Sequence, residues 1–355
     1  MNAPDLASQR RAARKSVAQV KPVTLALQGG GAHGAFAWGV LDRLLEDGRL
    51  HFEGLSATSA GAMNAAVLAY GLMQGGRDGA RAALAAFWRD IADTSALYSP
   101  FRHTPWAPAG NGHTLDDSPF YLMTGMLLRV LSPYQFNPFN FNPLRDVLAR
   151  HVDFAALREH GTTRLFLCAT NVETGKVRIF PREEICIDAV LASACLPFLF
   201  QAVEIDGVPY WDGGYVGNPA IYPLIYHCDT RDVVIVHINP IVRRGVPRTA
   251  AEILNRINEV SFNSSLMREM RAIAFVTALI ERGKVAPGDM KQMLIHSIRS
   301  DETMTELGVS SKLNADWGFL CALRDRGRAR VEAWLAEAWD SIGERSSVDL
   351  HAEFL

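Results

Sequence analysis

Apolar residues fall along this chain in two alternating patterns. Residues 23–28 form a short apolar run, residues 29–34 read G-G-G-A-H-G, and residues 35–46 place Phe36, Val40, Leu41, Leu44 and Leu45 at helical spacing before Gly48. This predicts a strand, a glycine loop and a helix. A second unit follows, with a strand from about Leu50, a turn at Ser59 and a helix over residues 60–73. Two such units in succession predict neighbouring parallel strands with right-handed crossovers, and both loops then lie at one edge of the sheet.

The pattern breaks over residues 95–143, where Pro100, Pro105, Pro108, Pro119, Pro133, Pro138 and Pro143 are interleaved with Phe, Tyr and Trp. Regular structure cannot persist through that spacing except in a helix at residues 121–131. The stretch reads either as a lid or acyl-chain channel or as a surface-covering insertion. Regular patterns resume with strands at 165–170 and 177–180 around a turn at 173–176, a short helix at 187–194, and a hairpin of 203–205 with 208–211 turning at Asp206-Gly207. Beyond residue 242 the pattern predicts one or two helices over 250–282, a strand at 293–298 and a helical segment at 317–339. In the first of these, Ile253, Leu254, Ile257, Val260, Leu266, Met270, Ile273, Phe275 and Leu279 form a stripe of the kind that is usually core. The arginines of the last segment read as a solvated face.

Composition narrows the class. The 355 residues are 48% hydrophobic and 21% charged with a net charge of −2, which fits a globular protein and gives no electrostatic case for nucleic acid. The five cysteines are odd in number and lack C-x-x-C spacing, so they read as reduced core residues of a cytoplasmic protein without a metal. Residues 1–22 are rich in Ala, Ser and Arg and read as a disordered basic arm. Such an arm allows loose peripheral contact with an anionic lipid surface, and its composition also fits a targeting presequence. No stretch reaches the roughly 18 apolar residues of a membrane span. The pattern carries no signal for an oligomeric state.

Three places carry candidate chemistry. Ser59 lies at a strand-to-helix junction among small residues, Ala57, Thr58, Ala60 and Gly61, as a nucleophile on a sharp turn requires; the alternative is a serine that caps a helix. Gly29, Gly31 and Gly34 match the G-x-G-x-x-G dinucleotide fingerprint, with Glu53 near the place of a ribose-binding acid, so an oxidoreductase is one reading. The other is that Gly29, Gly30 and Gly31 offer backbone N–H groups to an oxyanion beside Ser59. Asp212, followed by Gly213 and Gly214, is either a carboxylate brought to the site at a strand end or part of an Asp-Gly turn.

Taken in order, G-G-G-A-H-G, A-T-S-A-G and D-G-G resemble the patatin-like phospholipase family. The intervening C-A-T-N-V-E-T-G-K and A-S-A-C-L-P-F-L-F fit as well. The resemblance spans about residues 23–241. It implies a Ser-Asp dyad, with Ser59 as nucleophile, Asp212 as base and an oxyanion hole from the loop Gly29, Gly30, Gly31, His33 and Gly34. Neither His237 nor His296 sits in a motif that would make it the base, and both read as core histidines. Two positions depart from the family. Ala57 stands where glycine is usual, and His33 stands where lysine or arginine is usual. A neutral imidazole there would weaken activity or make it pH dependent; the alternative is a helix-start residue beside a sufficient backbone.

The expectation is therefore an α/β three-layer sandwich with a mostly parallel sheet. Residues 23–241 form the catalytic domain, including the 95–143 insertion, and residues 242–355 form a helical extension packed on it. The expected activity is cofactor-free hydrolysis of lipid acyl esters such as phospholipid, lysophospholipid or acylglycerol. A dinucleotide-dependent oxidoreductase, or a lipid-binding protein with a weak catalytic site, are the alternatives.

Overall fold

A computed structural model of the chain describes residues 20–98, 123, 130–286 and 288–355. Most of the N-terminal arm, the helix expected at 121–131 and the larger part of the aromatic insertion lie outside these residues.

Strands β1 (Lys21–Leu27), β2 (Leu50–Ala57), β3 (Arg164–Asn171), β4 (Val177–Pro181), β5 (Val203–Ile205), β6 (Val208–Asp212), β7 (Asp232–Val236) and β8 (Leu294–Ile298) join in one sheet of order β5-β6-β3-β2-β1-β7-β8, with β4 also paired to β3. The five strands from β3 to β8 along that order run parallel, and β4, β5 and β6 add the antiparallel edge. Period-two alternation sorts the strands between two layers. Val23, Leu25, Leu27, Leu165, Leu167, Val234 and Val236 face one core, and Ala26, Phe166, Val233, Ile235 and Ile295 face the other.

The first core is covered by α1 (Gly34–Asp47), α2 (Ala60–Tyr98), α3 (Pro143–His151), α4 (Phe154–His160), α5 (Ile187–Ser193) and, from the distant C-terminal region, a long helix at Trp317–Ala338. The second is covered by α6 (Tyr222–His227) and α7 (Ala250–Glu281). We number the helix Trp317–Ala338 α8. The fold is thus the expected α/β sandwich with a mostly parallel sheet between helical layers. Among the described residues no helix is long and apolar enough to cross a membrane.

Three local expectations need correction, and one holds. The first strand begins at Lys21 rather than Val23, because the Lys21 ammonium donates to the carbonyls of Trp339 and Ile342, both at 2.8 Å. The helix after Ser59 ends close to the expected Met73: Gly75 and Gly76 leave helical geometry, and the second helical segment of α2 folds back so that Ala80 lies against Gly71. The arginines of α8 are not all solvated, since Arg328 binds Asp42 and, at 2.7 Å, Glu46 of α1. Most instructive is α7. Leu266, Met270 and Ile273 are buried as expected, but Ile253, Leu254, Ile257, Val260 and Phe275 are exposed. The inward face of its first half is polar instead. Asn255 accepts from the Val309 N–H, Asn258 from Lys312, and Glu259 from Arg243.

Candidate active site

The parallel strands β1 and β2 end together, Leu27 opposite Ala57, so the glycine loop and the Ser59 turn meet at one sheet edge. Ser59 has φ 57°, in the left-handed region that non-glycine residues rarely adopt. A capping serine ordinarily sits in the β region, so this is a different conformation. It is held from several sides. The Ser59 N–H donates to Ser193 Oγ at 2.9 Å, the Thr58 hydroxyl to the Gly217 carbonyl at 2.6 Å, and the Thr58 N–H to the Leu27 carbonyl at 3.2 Å. A side chain at Gly61 would lie 2.4 Å from the Leu27 carbonyl, and one at Gly29 would lie 2.6 Å from the Ser59 Cβ. Small residues are required there because backbone and nucleophile are nearly in contact.

Asp212 closes β6 and is fully buried. One oxygen accepts the Gly214 N–H at 2.7 Å, so the Asp-Gly turn foreseen as the plainer reading is real. The other oxygen, Oδ2, is buried and accepts no hydrogen bond from any described group. Burial pushes the carboxyl up to about 6, opposed by the Gly214 N–H, the adjacent Ser59 hydroxyl and the charge of Lys312. A carboxylate so placed is a competent base near neutral pH.

The glycine loop is fastened through its backbone. The Gly29 N–H donates to Asn218 Oδ1 at 2.7 Å, and its carbonyl accepts from Asn239 Nδ2 at 3.0 Å. The Gly29 carbonyl and the Gly30 N–H belong to one planar trans peptide, so fixing the first aims the second the opposite way. Neither the Gly30 nor the Gly31 N–H donates to any described group. Gly34 abuts the elbow, where a Cβ would sit 2.8 Å from that of Ala60.

Of the two readings of His33, the structure supports the helix-start residue, since it directly precedes α1. It is buried, and burial together with the charge of Lys312 lowers its pKa to about 3, so it stays neutral through the working pH range. Its Nε2 lies 2.7 Å from Ser311 Oγ, whose own proton goes to the Gly308 carbonyl, which leaves Nε2–H as the donor. His33 is a strut and not a titrating switch.

The dinucleotide reading loses its second residue. Glu53 sits midway along β2, where it is the bulged residue between the pairs Val23–Phe52 and Thr24–Gly54, away from the loop edge. Its carboxylate is committed to Arg164 at 2.8 Å and to the N–H groups of Asp229 and Thr230 at 2.6 and 2.8 Å. The backbone of Lys312 also lies against the loop, 2.4 Å from where a Gly31 Cβ would be.

Beside Ser59 and Gly31 opens a cavity of about 360 Å³, within the common range for small-ligand sites, roughly 300–1,000 Å³. Met63, Phe87, Trp88 and Ile91 of α2 line it, with Leu144, Leu196, Leu199 and Phe200. Pro143 at the end of the insertion contributes, whereas Phe139 and Phe141 are exposed. Sequence reasoning missed four residues of this neighbourhood: Ser193, Asn218, Asn239 and Lys312. The first two lie in segments with recognisable spelling, A-S-A-C and G-N-P, while nothing near Lys312 marks it. Of the two histidines read as core, His296 is satisfied by Asp232 and Ser347, and His237 reaches Ser297 but leaves Nδ1 without a partner among the described residues.

Comparison with known families gives a match to the patatin-like phospholipase model over residues 25–225, more than half of the chain. No curated protein matches the chain. Among solved structures, VipD from Legionella pneumophila is similar at a TM-score of 0.32 and 15% identity, covering 87% of this chain and 67% of that one.

Proposed function

Because the chain belongs to the patatin-like phospholipase family, we propose that it cleaves lipid acyl esters through a Ser59–Asp212 dyad. One observation carries the reading. A serine in a left-handed turn lines an apolar cavity together with Gly31 of the loop, whose N–H is uncommitted, and a buried carboxyl with an uncommitted oxygen lies against the serine hydroxyl. In the reaction Asp212 accepts the Ser59 proton as Oγ attacks the ester carbonyl. The Gly30 and Gly31 N–H groups receive the negative oxygen, assisted by the N-terminal end of α2 behind Ser59. Collapse of that intermediate expels the alcohol, which takes the proton back from Asp212, and leaves the acyl chain on Ser59 within the cavity. Asp212 then deprotonates water, whose attack releases the fatty acid and restores the serine.

The substrates fitting this cavity are phospholipids, lysophospholipids and acylglycerols. Exposed Phe141 and Phe198 flank lining residues in sequence and support peripheral contact with a lipid surface. The free cysteines support a cytoplasmic setting. Residues 23–241 form the catalytic domain in this reading, and 242–355 complete it.

The test is labelling with a fluorophosphonate, the adduct located by mass spectrometry. The expected result is an adduct on Ser59, absent from Ser59→Ala and strongly reduced in Asp212→Asn, with hydrolysis falling at least about 10⁴-fold in the serine variant. A folded chain that binds lipid vesicles but takes no label would favour the lipid-binding alternative.

A further inference from the structure

The glycine loop carries no charge of its own, since its one titratable residue, His33, is buried and neutral. Cationic charge reaches it from elsewhere. The turn Ser310–Leu313 docks on the loop, Ser311 against His33 and the Lys312 carbonyl against Gly31, and Lys312 lines the same cavity as Ser59. We propose that Lys312 is a positioning residue of the catalytic centre, which holds the oxyanion loop in register and brings positive charge to the cavity lined by Ser59. The proposal rests on the dyad reading above.

The connection to the loop is short. Lys312 Nζ donates to Asn239 Oδ1 at 2.9 Å and to Asn258 Oδ1 at 2.8 Å, and stands 5.5 Å from the centre of the Phe262 ring. With its oxygen turned to the ammonium, the Asn239 amide must present its nitrogen to the Gly29 carbonyl, at 3.0 Å. That carbonyl orients the Gly30 N–H through their shared peptide plane. The Gly29 carbonyl demands the amide nitrogen from one side and the ammonium demands the oxygen from the other, so the two fix the same orientation.

The charge itself is not cancelled locally. Both hydrogen-bond partners are neutral amides, and the third Nζ proton donates to no described group. The acids that act on it are Glu259 of α7 and Asp212 at the end of β6. Glu259 is already bound by Arg243 and Arg256. A half-buried cation without an ion pair carries a desolvation cost, which is offset where negative charge resides or develops: on Asp212, and on the ester oxygen during attack. Burial lowers Lys312 to about 8, and Asp212 stands near 6, so both are charged together between those values.

The experiment is the pH dependence of kcat and kcat/KM on a soluble short-chain ester, with thermal melts, for the native chain, Lys312→Met, Lys312→Arg and Asn258→Ala. The native profile is expected to be a bell with limbs near 6 and near 8. In Lys312→Met, kcat falls on the order of 10²-fold at little changed KM. Its acidic limb moves up, because Asp212 loses a stabilising cation, and its alkaline limb disappears. Lys312→Arg recovers part of kcat and also lacks the alkaline limb, since a guanidinium does not titrate there. Asn258→Ala removes one acceptor from the ammonium and leaves the loop untouched, so it moves the alkaline limb to lower pH. It decides the question should Lys312→Met not fold. Native kcat and both limbs retained in Lys312→Met would overturn the proposal, as would a loss of rate with unmoved limbs, or an unmoved alkaline limb in Asn258→Ala. A native chain inert to both ester and fluorophosphonate would instead sink the dyad reading, and this proposal with it.

Discussion

The glycine loop is gripped by two regions built in different ways. On one side are the Ser59 elbow and the Asp212 strand end, where fit is steric: backbones approach within contact, and Gly29, Gly61 and Gly213 stand where a side chain would collide. On the other is the Ser310–Leu313 turn, where fit is electrostatic and polar, and where the contact between His33 and Ser311 spans 278 positions of sequence. Steric crowding restricts residue choice at consecutive positions, so it leaves a readable spelling. A single half-buried charge restricts one position. The same chemistry is therefore conspicuous on one side of the loop and silent on the other.

The strongest way to break this comparison is at the contact between the two regions. Gly31 has φ 59° and no room for a methyl against the Lys312 carbonyl. Gly31→Ala is expected to displace loop or turn and lower kcat on the order of 10²-fold, with fluorophosphonate labelling of Ser59 slowed in step. A lowered melting temperature with unchanged kcat would show that the turn serves stability alone.

The next effect is on stability. Asp212 rises from 3.8 to about 6 on folding, so its contribution is fully present below 3.8 and is lost as the pH rises through 6. Asp212→Asn keeps the acceptor for Gly214 without the buried charge. It should be more stable than the native chain by about 2–3 kcal/mol at pH 8, the difference vanishing toward pH 4. Chemical denaturation at the two pH values measures it, and equal stabilities at pH 8 would show that the carboxylate is better solvated than its burial implies.

The smallest kinetic effect belongs to His33. His33→Gln should leave both limbs of the pH–rate profile in place. Its trace is in acid melts: the native imidazole falls from 6.5 to about 3 on folding, so its contribution is present above 6.5 and lost as the pH drops toward 3. The glutamine variant should lose less stability over that interval. A limb that moves with His33→Gln would return the imidazole to the role of a titrating group.

What was legible follows the same division. The strand-loop-helix units, the elbow and the hairpin before Asp212 could be read because each is specified by neighbours: glycines where chains touch, Asp206 and Gly207 where φ turns positive. The stripe on α7 was misread because period alone reports that a helix is two-faced, not which face is inward. There Asn255, Asn258 and Glu259 meet the protein, and Ile253, Leu254, Ile257 and Val260 are left outside. The end of the helix that follows Ser59 was legible to within a few residues, since Gly75 and Gly76 interrupt it. Asn239 and Lys312 were invisible since their meaning depends on a partner far along the chain.

The sheet order has a consequence in time. β1 and β2 lie near the start of the chain, yet β1 is flanked on its other side by β7, and β7 in turn by β8. A chain emerging from the ribosome presents the glycine loop and Ser59 before Asp212, and the strand and turn that complete this order and seat the loop after both. Pairing across such separations is slow, and until β8 arrives β7 presents an open edge. The parts of the candidate site thus come together only after β8 and the turn that follows it have been made.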